Sequence, residues 1–191
     1  MTRSANIRRL FARWSRDTRG AAAVEFVLVV PLMLAIYLGG YEVSNLVSTY
    51  RKVCDATAQL ADIASQMASP TDQSTLNTQM AATTQIMSPF STTKLTIALS
   101  EITADSSGAG TVTWCEAYQG ATCLTKGASY TLPAALKAAA IAAGGASYLL
   151  VVTNYTYDAS FGASWTGPSI PLSDQLYIPP RNVASITCKD C

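Results

Sequence analysis

The sequence predicts an α+β protein. A long N-terminal helix, first lipid-compatible and then amphipathic, is followed by a small outer domain with an antiparallel sheet packed against helices. Three observations carry this reading. An uncharged run from Phe26 to Tyr41 follows an arginine-rich start. Apolar residues then recur at alternating three- and four-residue spacing from Val43 to Met67. Beyond Pro70 that period gives way to shorter segments punctuated by turn residues.

The first twenty residues carry six arginines (3, 8, 9, 13, 16 and 19) and one acid, Asp17. Ala21 to Tyr41 is 21 residues long, enough to cross a hydrocarbon core of about 30 Å as helix. A cleaved secretory signal places its small residues after the apolar run. Here Gly20-Ala21-Ala22-Ala23 precede it, and Gly39-Gly40-Tyr41-Glu42 offers no A-x-A site. The arginines all lie on the N-terminal side, so that end is expected in the cytoplasm and the remainder outside. Glu25 is the one carboxylate between the leader and the apolar run. An ionised group there is costly in lipid and needs a partner or a route to the headgroups.

Arg19-Gly20 followed by Ala21-Ala22-Ala23-Val24-Glu25-Phe26 resembles the processing site of type IV prepilin-like proteins, specifically TadE-like pseudopilins of tight-adherence (Tad/Flp) pilus systems. Tyr50-Arg51, the aromatic-rich strand near residue 150 and Tyr177-Ile178-Pro179-Pro180-Arg181 are similar to that family at the level of pattern. The resemblance implies cutting between Gly20 and Ala21 by a membrane prepilin peptidase, which makes Glu25 the fifth mature residue. It also implies as partners other pseudopilins or pilins and the inner-membrane pilus assembly machinery. The physics agrees with those roles. Gly20 leaves the scissile bond unobstructed and conformationally free. A new α-amine on a neighbouring Ala21 could neutralise Glu25, since pairing makes a buried charge tolerable. Snorkelling of Glu25 to the headgroups is the alternative.

Four segments follow: a basic leader (1–20), a transmembrane helix (21–41), an amphipathic helical extension (42–69) and an outer α+β domain (70–191). In the extension, Val43, Leu46, Tyr50, Val53, Thr57, Leu60, Ala64 and Met67 form one narrow stripe. Pro70 is expected to stop a helix that reaches Ser69 and is kinked near Pro31. The stripe serves either sister helices or the protein's own outer domain. Asp72 to Ser74 offers a cap for a helix carrying Leu76, Met80, Thr83 and Met87. Lys94–Ser100 alternates as a strand, with a parity slip at Glu101 to Ile102 that marks a bulge or strand end. Residues 106–110 turn into Thr111–Tyr118, with Val112, Trp114 and Tyr118 on one face. Pro133 opens an alanine-rich helix that Gly144-Gly145 closes. Tyr148–Asp158 is the strongest strand. A loop over 159–180 then leads to a last strand, Asn182–Cys188, with helices on one face of the sheet.

The five cysteines are 54, 115, 123, 188 and 191. In an oxidising compartment this usage points to disulfides, with Cys115/Cys123 as a local staple and Cys188/Cys191 as a C-terminal C-x-x-C. Cys54, on the apolar stripe, is either a free thiol or a bridge to Cys188 or Cys191. A redox site is disfavoured because C-x-x-C motifs work at a helix N-terminus, and a zinc site because no second C-x-x-C exists. No metal or cofactor is expected.

Composition excludes more. There is no histidine, hence no His-based nucleophilic triad. The acids show no paired spacing for acid–base work, so no enzyme is expected. Beyond residue 20 there are seven Lys/Arg and eleven Asp/Glu, so an overall charge of +1 hides a leader at +5 and a remainder at −4. That argues against nucleic acid and for membrane lipid as the leader's partner. The expected protein is a minor pseudopilin or assembly component in a bacterial inner membrane: single-pass, N-terminus cytoplasmic, C-terminal domain periplasmic. The alternative is a membrane-tethered periplasmic binding or adhesion module that enters no filament.

Overall fold

The computed structural model describes residues 20–159 and 169–191. Residues 1–19 of the leader and part of the loop predicted over 159–180, with Trp165, lie outside them. The chain divides into two units, residues 1–44 and 45–191.

In the first unit, helix α1 (Ala21–Ser65) begins directly after Gly20 and is unbroken at Pro31. One 18-residue window reaches a mean hydropathy of 2.2, long and apolar enough for a membrane crossing. Its large side chains stay exposed, as at Phe26 (68%), Leu28 (71%) and Tyr37 (71%).

The second unit starts inside α1. Residues 70 onward add α2 (Gln73–Thr84), two single 3₁₀ turns (Gln85–Met87 and Thr92–Lys94), β1 (Leu95–Ala104), β2 (Gly110–Tyr118) and β3 (Ser129–Tyr130). After these come α3 (Ala134–Ala143), β4 (Ala146–Tyr157) and β5 (Ile170–Ile178). The strands form one antiparallel sheet in the order β3-β2-β1-β4-β5.

Alternation along the strands builds two cores. Leu95, Ile97 and Leu99 of β1 and Leu149 and Val151 of β4 meet Val53, Leu60 and Ala64 of α1 and Leu76 and Met80 of α2. Leu60 and Leu76 are fully buried, and each such side chain stabilises the fold by about 1.5–3 kcal/mol. On the opposite face Ile102, Ala104, Tyr148 and Leu150 pack with Leu132 and with Ala140 of α3. Helices therefore cover both faces, not one as the sequence predicts. This explains β4 in detail. Residues 148–151 are apolar without interruption because both faces are covered there. Beyond Val152 the second face opens, and the strand alternates again with Tyr155 and Tyr157 turned to the first core.

The parity slip at Glu101/Ile102 is a bulge, with its extra residue in the partner strand. Glu101 pairs with Trp114 and Ile102 with Val112, leaving Thr113 over, while β1 keeps unbroken register with β4. Val112 consequently lies on the opposite face from Trp114, against the expectation that they share one. Ile102 simply turns to the second core, under α3.

Capping follows local chemistry. Asp72 caps α2, its side chain accepting from Thr75 N at 2.7 Å. Gly144 ends α3 with a φ of 75°, a left-handed conformation that suits glycine.

Three further expectations are corrected. Helix α1 ends at Ser65, not Ser69. Arg181 N donates to Ser65 O at 2.8 Å and Asn182 Nδ2 to Gln66 O at 2.9 Å, so the tail satisfies the last carbonyls in place of another helical turn. Val43 (61% exposed) and Tyr50 (44%) stay out of the core. The buried stripe runs instead through Thr49, Val53, Ala56, Thr57, Leu60, Ala61 and Ala64, and it docks on the protein's own sheet. Finally, the last strand is β5 at Ile170–Ile178, inside the predicted loop. Residues 182–188 form no strand and make one isolated bridge, Thr71 to Cys188. Pro171, Pro179 and Pro180 conceal β5 in the sequence, yet an edge strand tolerates a missing N–H.

Candidate processing and assembly site

Gly20 is exposed immediately before α1, and a Cβ added there would meet nothing within 4 Å. Helix α1 starts at Ala21. Glu25 lies one turn further on, exposed on the helix surface, as are Val24 and Phe26 on either side. The predicted processing residues and the carboxylate thus occupy the first turns of one apolar helix.

All five cysteines belong to the 45–191 unit. Cys115 is bonded to Cys123 across the loop that follows β2, with Cα atoms 5.7 Å apart. Cys188 is bonded to Cys191, with Cα atoms 5.6 Å apart. Cys54 is a free thiol. It shares hydrogen bonds with Tyr50 and with Asp174 of β5, and burial pushes its pKa up, with the Asp174 charge acting in the same direction. The thiolate, which is the reactive form, is disfavoured there.

Hydrogen bonds, not a thiol bridge, join the tail to the end of α1 and to the segment that follows it. Thr71 N donates to Thr187 O at 2.8 Å and Lys189 N to Thr71 O at 3.1 Å. Arg181 pairs with Asp62 at 2.7 Å. The inner anchor is Glu101, a fully buried carboxylate. Ile186 N donates to its Oε1 at 2.8 Å and Trp114 Nε1 to its Oε2 at 2.9 Å. Trp114 Nε1 also reaches Ile186 O at 2.6 Å. Burial raises the pKa of Glu101 above the usual carboxylate range, opposed by the bonds from Ile186, Ser185 and Trp114. Sequence reasoning passed over this residue. Its signal was a lone acid between Leu99 and Ile102 in an otherwise uncharged strand.

Among the described residues no group of three or more His, Cys, Asp or Glu side chains could hold a metal ion. Residues 20–62 match the family model described as TadE-like protein. The chain carries a TadE-like segment. The match opens on Gly20, takes in the whole apolar run and most of the docked part of α1, and stops before the sheet. The apolar helix within this segment is compatible with single-pass anchoring. No match is found among curated proteins or among solved structures.

Proposed function

We propose that this protein is a minor pseudopilin or assembly component of a Tad-type pilus, cut between Gly20 and Ala21 by a prepilin peptidase. The observation that carries the reading is a coincidence of boundaries. The family match starts at Gly20 and the helix at Ala21, where the sequence places the cut. In this reading the leader stays in the cytoplasm, the helix is held in the inner membrane, and the 45–191 unit faces the periplasm. The positive-inside tendency supports that orientation.

The work is assembly, with no catalytic step. Glu25 on an exposed apolar surface is suited to accept the α-amine of a neighbouring mature subunit, and the pair is tolerable in lipid where the lone carboxylate is costly. The expected partners are other pseudopilins or pilins, the assembly machinery and the peptidase. Co-expression with and without a prepilin peptidase tests the reading. N-terminal sequencing should find Ala21 only when the peptidase is present; Met1 or Thr2 in the assembled protein, or a start near residue 42, would sink it.

A further inference from the structure

We propose that the open face of the sheet, beyond α3, is a binding site for a neutral saccharide. A groove of about 400 Å³ lies over β1, β4 and β5, walled by the loop that the Cys115–Cys123 bridge closes. That volume is within the range of small-molecule sites, about 300–1,000 Å³. Register places its polar groups together. Thr96 of β1 is opposite Asn154 of β4, and Gln175 of β5 is opposite Val152, so all three project from the same face. Ser100 lies further along β1, Thr122 stands on the wall, and Tyr130 closes one end with its hydroxyl 2.7 Å from that of Tyr177.

The lining chemistry selects the ligand class. Among the described residues no Lys, Arg, Asp or Glu lines the groove, so none of them would compensate a phosphate or carboxylate brought out of water. The lining supplies hydroxyls and two side-chain amides, each able to donate and accept. A sugar hydroxyl needs both functions. The ring of Tyr130, half-buried, offers an apolar surface with a polar tip. A peptide fits less well. Of the strands under the groove, β1 and β4 are paired on both sides and β5 is paired with β4 on its inner side, so only the outer edge of β5, on the side away from β4, is free to hydrogen-bond an extended chain. This inference is independent of the pilus reading, because the groove is built wholly within the 45–191 unit.

The test uses the full chain in lipid nanodiscs, since a glycoside detergent would compete. Maltotriose, cellotriose and chitotriose are titrated separately by calorimetry and saturation-transfer NMR. At least one should saturate with a dissociation constant on the order of 1 mM. Asn154→Ala and Gln175→Ala, both at exposed side chains, should each weaken it about tenfold, the loss expected when a hydrogen-bonding partner is removed. Gln59→Ala, exposed on α1, should leave it unchanged. Three flat titrations would overturn the proposal. So would saccharide binding that neither groove variant alters, tighter binding of a galacturonate trimer, or stronger binding of a neutral Gly/Ser pentapeptide.

Discussion

Glu101 shows how a single buried group ties sequence-distant segments together. Its two oxygens receive Trp114 from β2 and Ile186 from the tail, so truncation strands a buried donor. Glu101→Ala should destabilise the domain by about 1–3 kcal/mol, the usual penalty for such a group. The pH dependence has a definite sign. The folded-state pKa is raised by burial, so the residue's stabilisation is full below its unfolded value of about 4 and declines as pH rises through the folded value. Glu101→Gln removes this titration but keeps only one acceptor oxygen for two donors. The melting-temperature gap between wild type and Glu101→Gln should therefore be widest in acid and narrow as pH rises. A gap that widens with pH would contradict the burial argument. Asp72 and Asp105 have the opposite sign. Thr75 and Ser74 lower the pKa of Asp72, while Ser107 and Ala109 lower that of Asp105. Their contributions are present above about pH 4 and fade as pH falls through their depressed values. Asp72→Asn, which keeps a capping oxygen, should remove that part of the acid sensitivity.

At the scale of elements, closing the loop between Cys115 and Cys123 should contribute about 2–3 kcal/mol by limiting the unfolded chain. Replacing both with Ser should increase protease sensitivity of the domain without changing membrane insertion, as limited proteolysis and membrane fractionation would report. Replacing Cys188 and Cys191 should matter less, because they are only three positions apart and hydrogen bonds to Thr71 and Glu101 still hold the tail. Equal losses from the two double variants would contradict this ranking. The elements most legible in the sequence were those with local signals: the Asp72 cap, the 106–110 turn, the Pro133 and Gly144 ends of α3, and the apolar run of β4. Three others depended on contacts distant in sequence. Helix α1 stops at Ser65 because residues 181 and 182 cap it. Strand β5 exists because β4 has a free edge to pair with, despite its prolines. Val112 changes face because Thr113 is extra opposite β1. No local pattern carries information of that kind.

For the whole molecule, the succession of an apolar N-terminal helix and an α+β domain could be read from charge and hydropathy alone. Position, more than packing, carries the proposed processing site at Gly20: a glycine, a helix start and one acid one turn further on. The groove was hidden, since Thr96, Asn154 and Gln175 come together only through strand register. Assembly should depend on the Glu25 charge. Glu25→Gln should insert and be cut normally yet lose crosslinking to partner pseudopilins, because the amine loses its counter-charge. Undiminished crosslinking would favour snorkelling to the headgroups instead. The central claim, that this chain is a processed pseudopilin, is tested most directly by the intact mass of the membrane-extracted protein from cells with and without a prepilin peptidase. The account predicts a chain beginning at Ala21 in the first case and an uncut leader in the second, with Gly20 replaced by a bulky residue remaining uncut in both. An identical mass in the two strains, or a chain beginning near residue 42, would contradict it.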